Sequence, residues 1–452
     1  MDVAETQMDS EIQAVFQQTT RLPLFGWRLE ITAGDKTVNP DRILSLDIVR
    51  DYDINFADKL VCKILIGAGT YTSDIVPYRN NLTGMLYQEP LNTQGESIEG
   101  ADTWSQEVMI TLVDNTDPNK ALTTNVLQNK ESADRTSFVE VELQLSDIVL
   151  EVARMISVGG VYRDTSVQDL VKYLMTYYLK ELRVDESMAV TGVKMYPASN
   201  QAPIANIVLP HGMEFVQIPD FLHERVAGIY STGLGHYLQD NLWHIYPLYD
   251  TTRYENDLRG LTIINLPANR YTKIERTYRT TANQVIVLAS GEGATFDDSE
   301  SRQLNQGNGV RFTNADAAMG GLATTEGNKS TALRAENNSE FVTTQRDSGR
   351  NNVRVSSTPI TNNTFLEASK LARSQGSYAA RVWENANPRL LFPGMPVRWM
   401  YMENGEWVEQ HGVLLGAHYF VQAPPKPLTS KRHMCTATLR VFLERTSDTD
   451  NQ

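Results

Sequence analysis

Apolar and polar residues alternate through the first third of the chain. The stretches GWRLEITAG (26–34), ILSLDIVRDYD (43–53), DKLVCKILIGAG (58–69), WSQEVMITLVDN (104–115) and SFVEVELQLSD (137–147) each place every second side chain on one face. That two-residue period belongs to β-strands with one buried and one wet face. Gly34-Asp35-Lys36 marks a turn, and the last stretch alternates from Phe138 through Leu145. Residues 21–150 therefore read as an antiparallel sheet or barrel, a first β-barrel-like domain. Residues 1–20 precede it as an N-terminal arm whose Ile12, Val15 and Phe16 make one weak apolar stripe.

Beyond Leu145 the period lengthens. Asp164-Thr165-Ser166 is expected to cap a helix with Val167, Leu170, Val171, Leu174, Tyr177 and Tyr178 along one face, packed on a sheet. A second helix is expected from Ile218 to Gly228, with Phe215, Ile218, Phe221, Leu222, Val226 and Ile229 at spacings of three and four. Asp220 suits its first turn. After it, Ile229-Tyr230 and His236-Tyr237-Leu238 flank Ser231–Gly235, and Leu242-Trp243-His244-Ile245-Tyr246 alternates across the turn Gln239-Asp240-Asn241. This is a strand, turn, strand pattern. With LRGLTIINLP and TANQVIVLASG it completes a helix and β-hairpin region, 151–290, linking two β domains.

Residues 291–364 change character, being rich in Gly, Asn, Ser and Thr and poor in large apolar residues. They read either as a disordered linker or as an arm that orders against a neighbouring subunit. Regular patterning returns over 365–446. Thr364–Gly376 carries Phe365, Ala368, Leu371 and Ala372 on one helical face. Four strand-like stretches follow, SYAARVWEN, PRLLFPGMPVRWMYM, WVEQHGVLLGAHYFVQ and HMCTATLRVFLERT, with Pro393-Gly394 as a turn. These suit a second β-barrel-like part, and 447–452 is a tail. The fold expected is mainly β with a few helices (α+β): a pair of barrel-like domains with connecting helix and hairpin domains.

Composition narrows the function. The 452 residues carry 41 basic and 55 acidic side chains, a formal charge of −14, which argues against a surface that coats nucleic acid. Cys62 and Cys435 each fall inside a strand pattern, away from any CxxC or histidine cluster, and read as buried free thiols. The lack of a disulfide framework suits a reducing cytosol. The acidic, polar N-terminus is unlike a signal peptide, and no apolar run reaches the ~18 residues of a membrane span.

Candidate chemistry is sparse. His211, His223, His236 and His244 crowd one region, but their spacings of 12, 13 and 8 match neither a helical HxxxH pair nor a zinc finger. GEG at 291–293 and GNG at 307–309 lack the Lys-Ser/Thr of a phosphate loop, and Asp297-Asp298 sits in the polar stretch. Trp243, Tyr246, Tyr249, Tyr254, Trp383, Trp399 and Trp407 would offer sugar-stacking faces if exposed, yet lie at core-like spacing in strands. No catalytic, cofactor-binding or metal-ligating residue is nominated.

The order of elements over 165–250 resembles the baseplate hub proteins of contractile-tailed bacteriophages, a family related to the N-terminal part of type VI secretion spike proteins. In those proteins a helix like SVQDLVKYLMTYYL precedes a β segment, and a second helix like FVQIPDFLHERV leads into a hairpin like GIYSTGLGHYLQDNLWHIYPL. KLARSQGSYAARVWENANPRLLFPGMPVRW is similar to the family's return to its second barrel. The resemblance covers about half of the chain. It implies two tube-like antiparallel β-barrel domains per subunit and a homotrimer whose six quasi-equivalent barrels match a six-fold tail tube above and a three-fold spike below. The partners it implies are the tail tube or tube-initiator protein, the central spike as a separate chain, baseplate wedge proteins and DNA in transit without specific binding, with no stable membrane insertion. The protein would be a virion component of the tail baseplate, made in the host bacterial cytoplasm, without cofactor or enzymatic activity. Other readings are a tube terminator or wedge protein, or a cell-wall-degrading tail enzyme carried by the aromatic content alone.

Overall fold

The computed structural model describes residues 24–92, 94–98, 100–101, 103–113, 138–182, 192–255, 259–266, 277–291, 295–296, 311–314, 340–343, 364–374, 376–403, 406–424 and 431–444, and Ile12. The first run of strands is β1 (Leu24–Ala33), β2 (Lys36–Val38), β3 (Arg42–Asp51), β4 (Lys59–Gly67), β5 (Leu82–Leu91), β6 (Trp104–Leu112) and β7 (Phe138–Asp147). Every alternating stretch of the first third is a strand. β5, which carries Gly84 and Pro90 and has a weaker alternation, comes in addition. In β7 the buried phase is Val141, Leu143 and Leu145, so Phe138 falls in phase with Glu140 and Glu142 and is 58% exposed.

Helix α1 (Ile148–Arg154) then precedes β8 (Ser157–Ser166), helix α2 (Val167–Glu181), β9 (Gly192–Met195) and β10 (Pro203–Glu214). Ser166 caps α2 as its sequence predicts, accepting the Asp169 N–H at 3.1 Å. Its buried stripe is Val167, Leu170, Val171, Leu174, Met175 and Leu179; Tyr177, expected on that face, is 49% exposed and stacks on Tyr173. The expected helix after His211 is one irregular rod: a 3-10 turn (Phe215–Gln217), α3 (Ile218–Phe221) and a π turn (Leu222–Val226). Ile229-Tyr230, expected as a strand, is buried loop, and the hairpin is β11 (Leu234–Gln239) with β12 (Leu242–Pro247).

The remaining strands are β13 (Gly260–Leu266), β14 (Tyr278–Thr280), β15 (Gln284–Ser290), β16 (Thr295–Phe296), β17 (Arg311–Asn314), β18 (Glu340–Thr343), β19 (Gly376–Glu384), β20 (Pro396–Glu403), β21 (Glu406–Gln422) and β22 (Arg432–Glu444), with α4 (Thr364–Ser374) before β19. Each of the four C-terminal stretches holds a strand, but in PRLLFPGMPVRWMYM it begins only at Pro396, after a 3-10 turn (Pro388–Leu390). Most of 291–364 lies outside the described residues, as do 1–20 apart from Ile12.

Two closed rings emerge from the pairings. Eight strands run β3-β4-β7-β6-β5-β1-β22-β21 and return to β3, every neighbour antiparallel. A second ring of six runs β13-β20-β21-β22-β19-β15 and returns to β13, which lies parallel to both of its neighbours, so this ring is mixed. β21 and β22 belong to both. The 17-residue β21 pairs with β20 through Glu406–Val413 and with β3 through Gly416–Gln422. Strand length thus lets one ribbon serve two barrels.

Both interiors are filled. Leu29, Ile31, Leu46, Cys62, Ile64, Leu86 and Leu143 fill the larger ring, and Leu261, Ile263, Val285, Val287, Val397 and Trp399 the smaller, as one continuous apolar core. Cys62 is buried there, whereas Cys435 is only partly covered. A separate core gathers α1, α2, the 215–226 rod and one face of the hairpin. Among the described residues, no helix is long and apolar enough to cross a membrane.

Candidate functional site: the joint between the barrels

Asp240 and Asn241, both at positive φ (51° and 57°), make the two-residue turn whose twist suits a tight hairpin. Pairing sets Tyr237 opposite His244 and Leu238 opposite Trp243. Because side chains alternate across a strand, the hairpin has two faces. Leu238, Trp243 and Ile245 enter the helical core, while Tyr237 and Tyr246 enter the core of the barrels. The hairpin is the wall between the two.

Its barrel face carries a dense set of polar links. Tyr237 Oη donates to Asp58 Oδ1 at 2.8 Å, Tyr246 Oη to the Tyr52 carbonyl at 3.2 Å, and Tyr249 Oη to Asp53 Oδ1 at 3.2 Å. Gln239 accepts from Tyr52 Oη at 3.2 Å and donates to the Leu391 carbonyl at 2.7 Å. The hairpin is thereby tied to the end of β3 in the larger ring and to the segment entering β20 in the smaller. Arg253 donates to the Gly394 carbonyl in the same segment. Gly394 itself sits at φ +66°, where a Cβ would lie 2.1 Å from the Tyr246 ring, so the expected Pro393-Gly394 turn is also a docking surface for the hairpin.

An ion pair lies at the centre. Leu46, Ile48 and Arg50 share the inward phase of β3, and Arg50 is 4% exposed. Its Nε donates to Asp58 Oδ2 at 2.9 Å and Oδ1 at 3.2 Å, a second nitrogen reaches the Pro388 carbonyl, and the guanidinium stands over the Tyr419 ring at 5.4 Å. Burial alone would push the Arg50 guanidinium down; the Asp58 carboxylate more than reverses this and holds it well above its ordinary value. A charge in the apolar phase of a strand was the available sequence signal for this lock.

The histidine cluster is dispersed. His211 is exposed on β10. His223 accepts the Ile229 N–H at 3.0 Å, His236 lies between Phe56 and Trp243 with Nε2 3.1 Å from Asp220 Oδ2, and His244 stacks on Phe392. Burial lowers both His223 and His244 to about 4, so both are neutral packing groups near pH 7. Among the described residues no three His, Cys, Asp or Glu side chains are grouped to hold a metal ion. Trp243, Trp383 and Trp399 are fully buried and present no stacking platform. Asp297-Asp298 and the GNG stretch lie outside the described residues.

One open crevice of about 410 Å³ borders the joint, between β6, the start of α1 and the hairpin tip. The Trp104 indole donates to Asp240 Oδ1 there at 2.9 Å. Asp147 caps α1 by accepting the Val149 and Leu150 N–H groups, and its burial raises it to about 6.

No protein-family model matches the sequence, and no curated protein does. Several solved structures are similar to this chain over most of its length. A tail protein from Neisseria meningitidis MC58 is 12% identical over 92% of this chain and 96% of its own, with a TM-score of 0.47. The 43 kDa tail protein of prophage MuSo2 from Shewanella oneidensis is 8% identical over 91% and 96%, TM-score 0.44. The E. coli c3393 protein, described as a type VI secretion component similar in structure to the T4 tail proteins gp27 and gp5, is 8% identical over 93% and 77%, TM-score 0.43. The neighbours are tail and secretion-system proteins.

Proposed function

We propose that this chain is a structural protein of a phage tail baseplate, the hub that joins tail tube to central spike. The observation that carries the reading is the pair of closed rings on one shared ribbon, braced by a buried ionic joint. Such a body resists shear between its halves, because sliding one ring past the other would break β21 and β22 and pull the Arg50 guanidinium off the Pro388 carbonyl. Closed rings also remove the free edges through which sheets aggregate. The grouped polar side chains of the joint bind one another, which suits bracing.

The hub is a homotrimer. Three copies of two barrels supply six similar units to a six-fold tube and three copies of the joint to a three-fold spike, with wedge proteins outside. Since both barrels are solid, the channel for DNA runs between subunits. The net charge of −14, if carried on that lumen, repels the phosphate backbone and lets DNA slide. Light scattering with electron microscopy of the purified protein tests this: the expected particle is a trimer with six lobes around an open axis. A stable monomer or hexamer, or a closed axis, overturns the hub reading.

A further inference from the structure

The larger ring is closed unevenly. β1 and β5 share ten paired positions, from Leu24↔Leu91 to Ala33↔Leu82, but β1 and β22 share only Phe25↔His433 and Gly26↔Arg432. Where backbone pairing stops, the Trp27 N–H is met by a side chain, His433 Nδ1 at 3.2 Å. The other ring nitrogen, Nε2, lies 3.0 Å from the Ile43 carbonyl on β3. One buried imidazole therefore ties β22 to β1 and β3.

We propose that His433 is a proton-operated latch on this seam. In the neutral ring Nε2–H donates to Ile43 and the Nδ1 lone pair accepts Trp27 N–H, which fixes the tautomer. The Lys431 carbonyl also lies 3.0 Å from Nδ1. On protonation Nδ1–H turns from acceptor to donor and is taken by Lys431, just ahead of β22 on its own side of the seam. The Trp27 N–H then faces another N–H and loses its partner, so the link to β1 opens while that to β3 remains. The charged group that acts on the ring is Arg42 on β3, a cation. Burial lowers its pKa foremost, the two carbonyls draw it back up, and Arg42 lowers it again. The latch is closed at neutral pH and opens in acid.

Hydrogen exchange by mass spectrometry on the full-length protein tests this. Between pH 7.5 and 4.5, after correction for intrinsic rates, the peptide containing the Trp27 amide is expected to speed up about tenfold, the equivalent of one lost hydrogen bond. A peptide containing the β3 amides of Leu46–Ile48 is expected to stay flat, and His433→Gln to abolish the pH dependence at Trp27. Exchange at the His433 C2 position reports the imidazole pKa in the unmodified protein and must share its midpoint with the Trp27 transition. A flat Trp27 response, a transition that persists in His433→Gln, or two different midpoints overturns the latch.

Discussion

Asp58→Asn is the sharpest test of the joint. The substitution preserves shape but removes the carboxylate that, among the described residues, alone touches Arg50 at hydrogen-bond distance, leaving a guanidinium that is 4% exposed without that counter-ion. It also weakens the acceptor for Tyr237 Oη. Breaking one side of a buried ion pair costs about 3–5 kcal/mol, a large share of the ~5–15 kcal/mol that stabilises a whole domain. Replacing both partners, in Arg50→Met with Asp58→Leu, removes the desolvated charge but leaves Tyr237 Oη and the Pro388 carbonyl without their partners, and is expected to cost about 1–3 kcal/mol, less than Asp58→Asn. Urea denaturation followed by tryptophan fluorescence reads the effect in both cores, since Trp243 lies in one and Trp383 and Trp399 in the other. A loss below ~1 kcal/mol in Asp58→Asn, or a double variant as unstable as the single one, would show that the pair does not hold the joint.

Two further outcomes follow from other parts of the same region. Gly394→Ala forces a side chain onto a left-handed backbone and into the Tyr246 ring, so the strain of ~1 kcal/mol adds to the lost Tyr246–Tyr52 bond for a total of about 2–3 kcal/mol, seen as a lower melting temperature; an unchanged melting temperature refutes the docking role of the turn. His223 and His244 bind protons in the unfolded chain from pH ~6.5 but in the fold only near 4. Stability is therefore full above the unfolded value and falls as pH drops through that window, by about 3 kcal/mol per residue. Asp147, raised from 3.8 to about 6, works in the opposite sense and returns about 3 kcal/mol as it protonates. The net loss between pH 7.5 and 4 is then about 3–4 kcal/mol, and urea midpoints that do not fall across this range contradict the buried neutral assignment.

Alternation in the sequence carried most of the secondary structure because each barrel strand has one face in the core. It located β1, β3, β4, β6 and β7 and all four C-terminal strands. What it did not reveal was closure: Gly26 pairs with Arg432 and Ser290 with Val382 through local geometry that no periodicity encodes. Tyr177 was misplaced because a helical stripe has soft borders, and Met175 and Leu179 extend this one on the side away from Tyr177. The joint was legible only in outline. The dense aromatic hairpin stood out, but Arg50 and Asp58 meet through a bend of the chain, and their partners Pro388 and Tyr419 lie more than 300 residues away.

The shared ribbon also fixes when the protein comes into being. Trp27 waits for His433 across 406 residues. At ~5–20 residues per second, the β1 edge of the larger ring is exposed on the ribosome for roughly 20–80 s before its partner is made. Until then β1 and β3 are open edges, the state most prone to pairing with the wrong chain. The smaller ring waits as well, since β13 and β15 cannot close without the same hairpin. A nascent chain halted anywhere before residue 406 therefore contains neither barrel, and both are completed by the same last turn of synthesis.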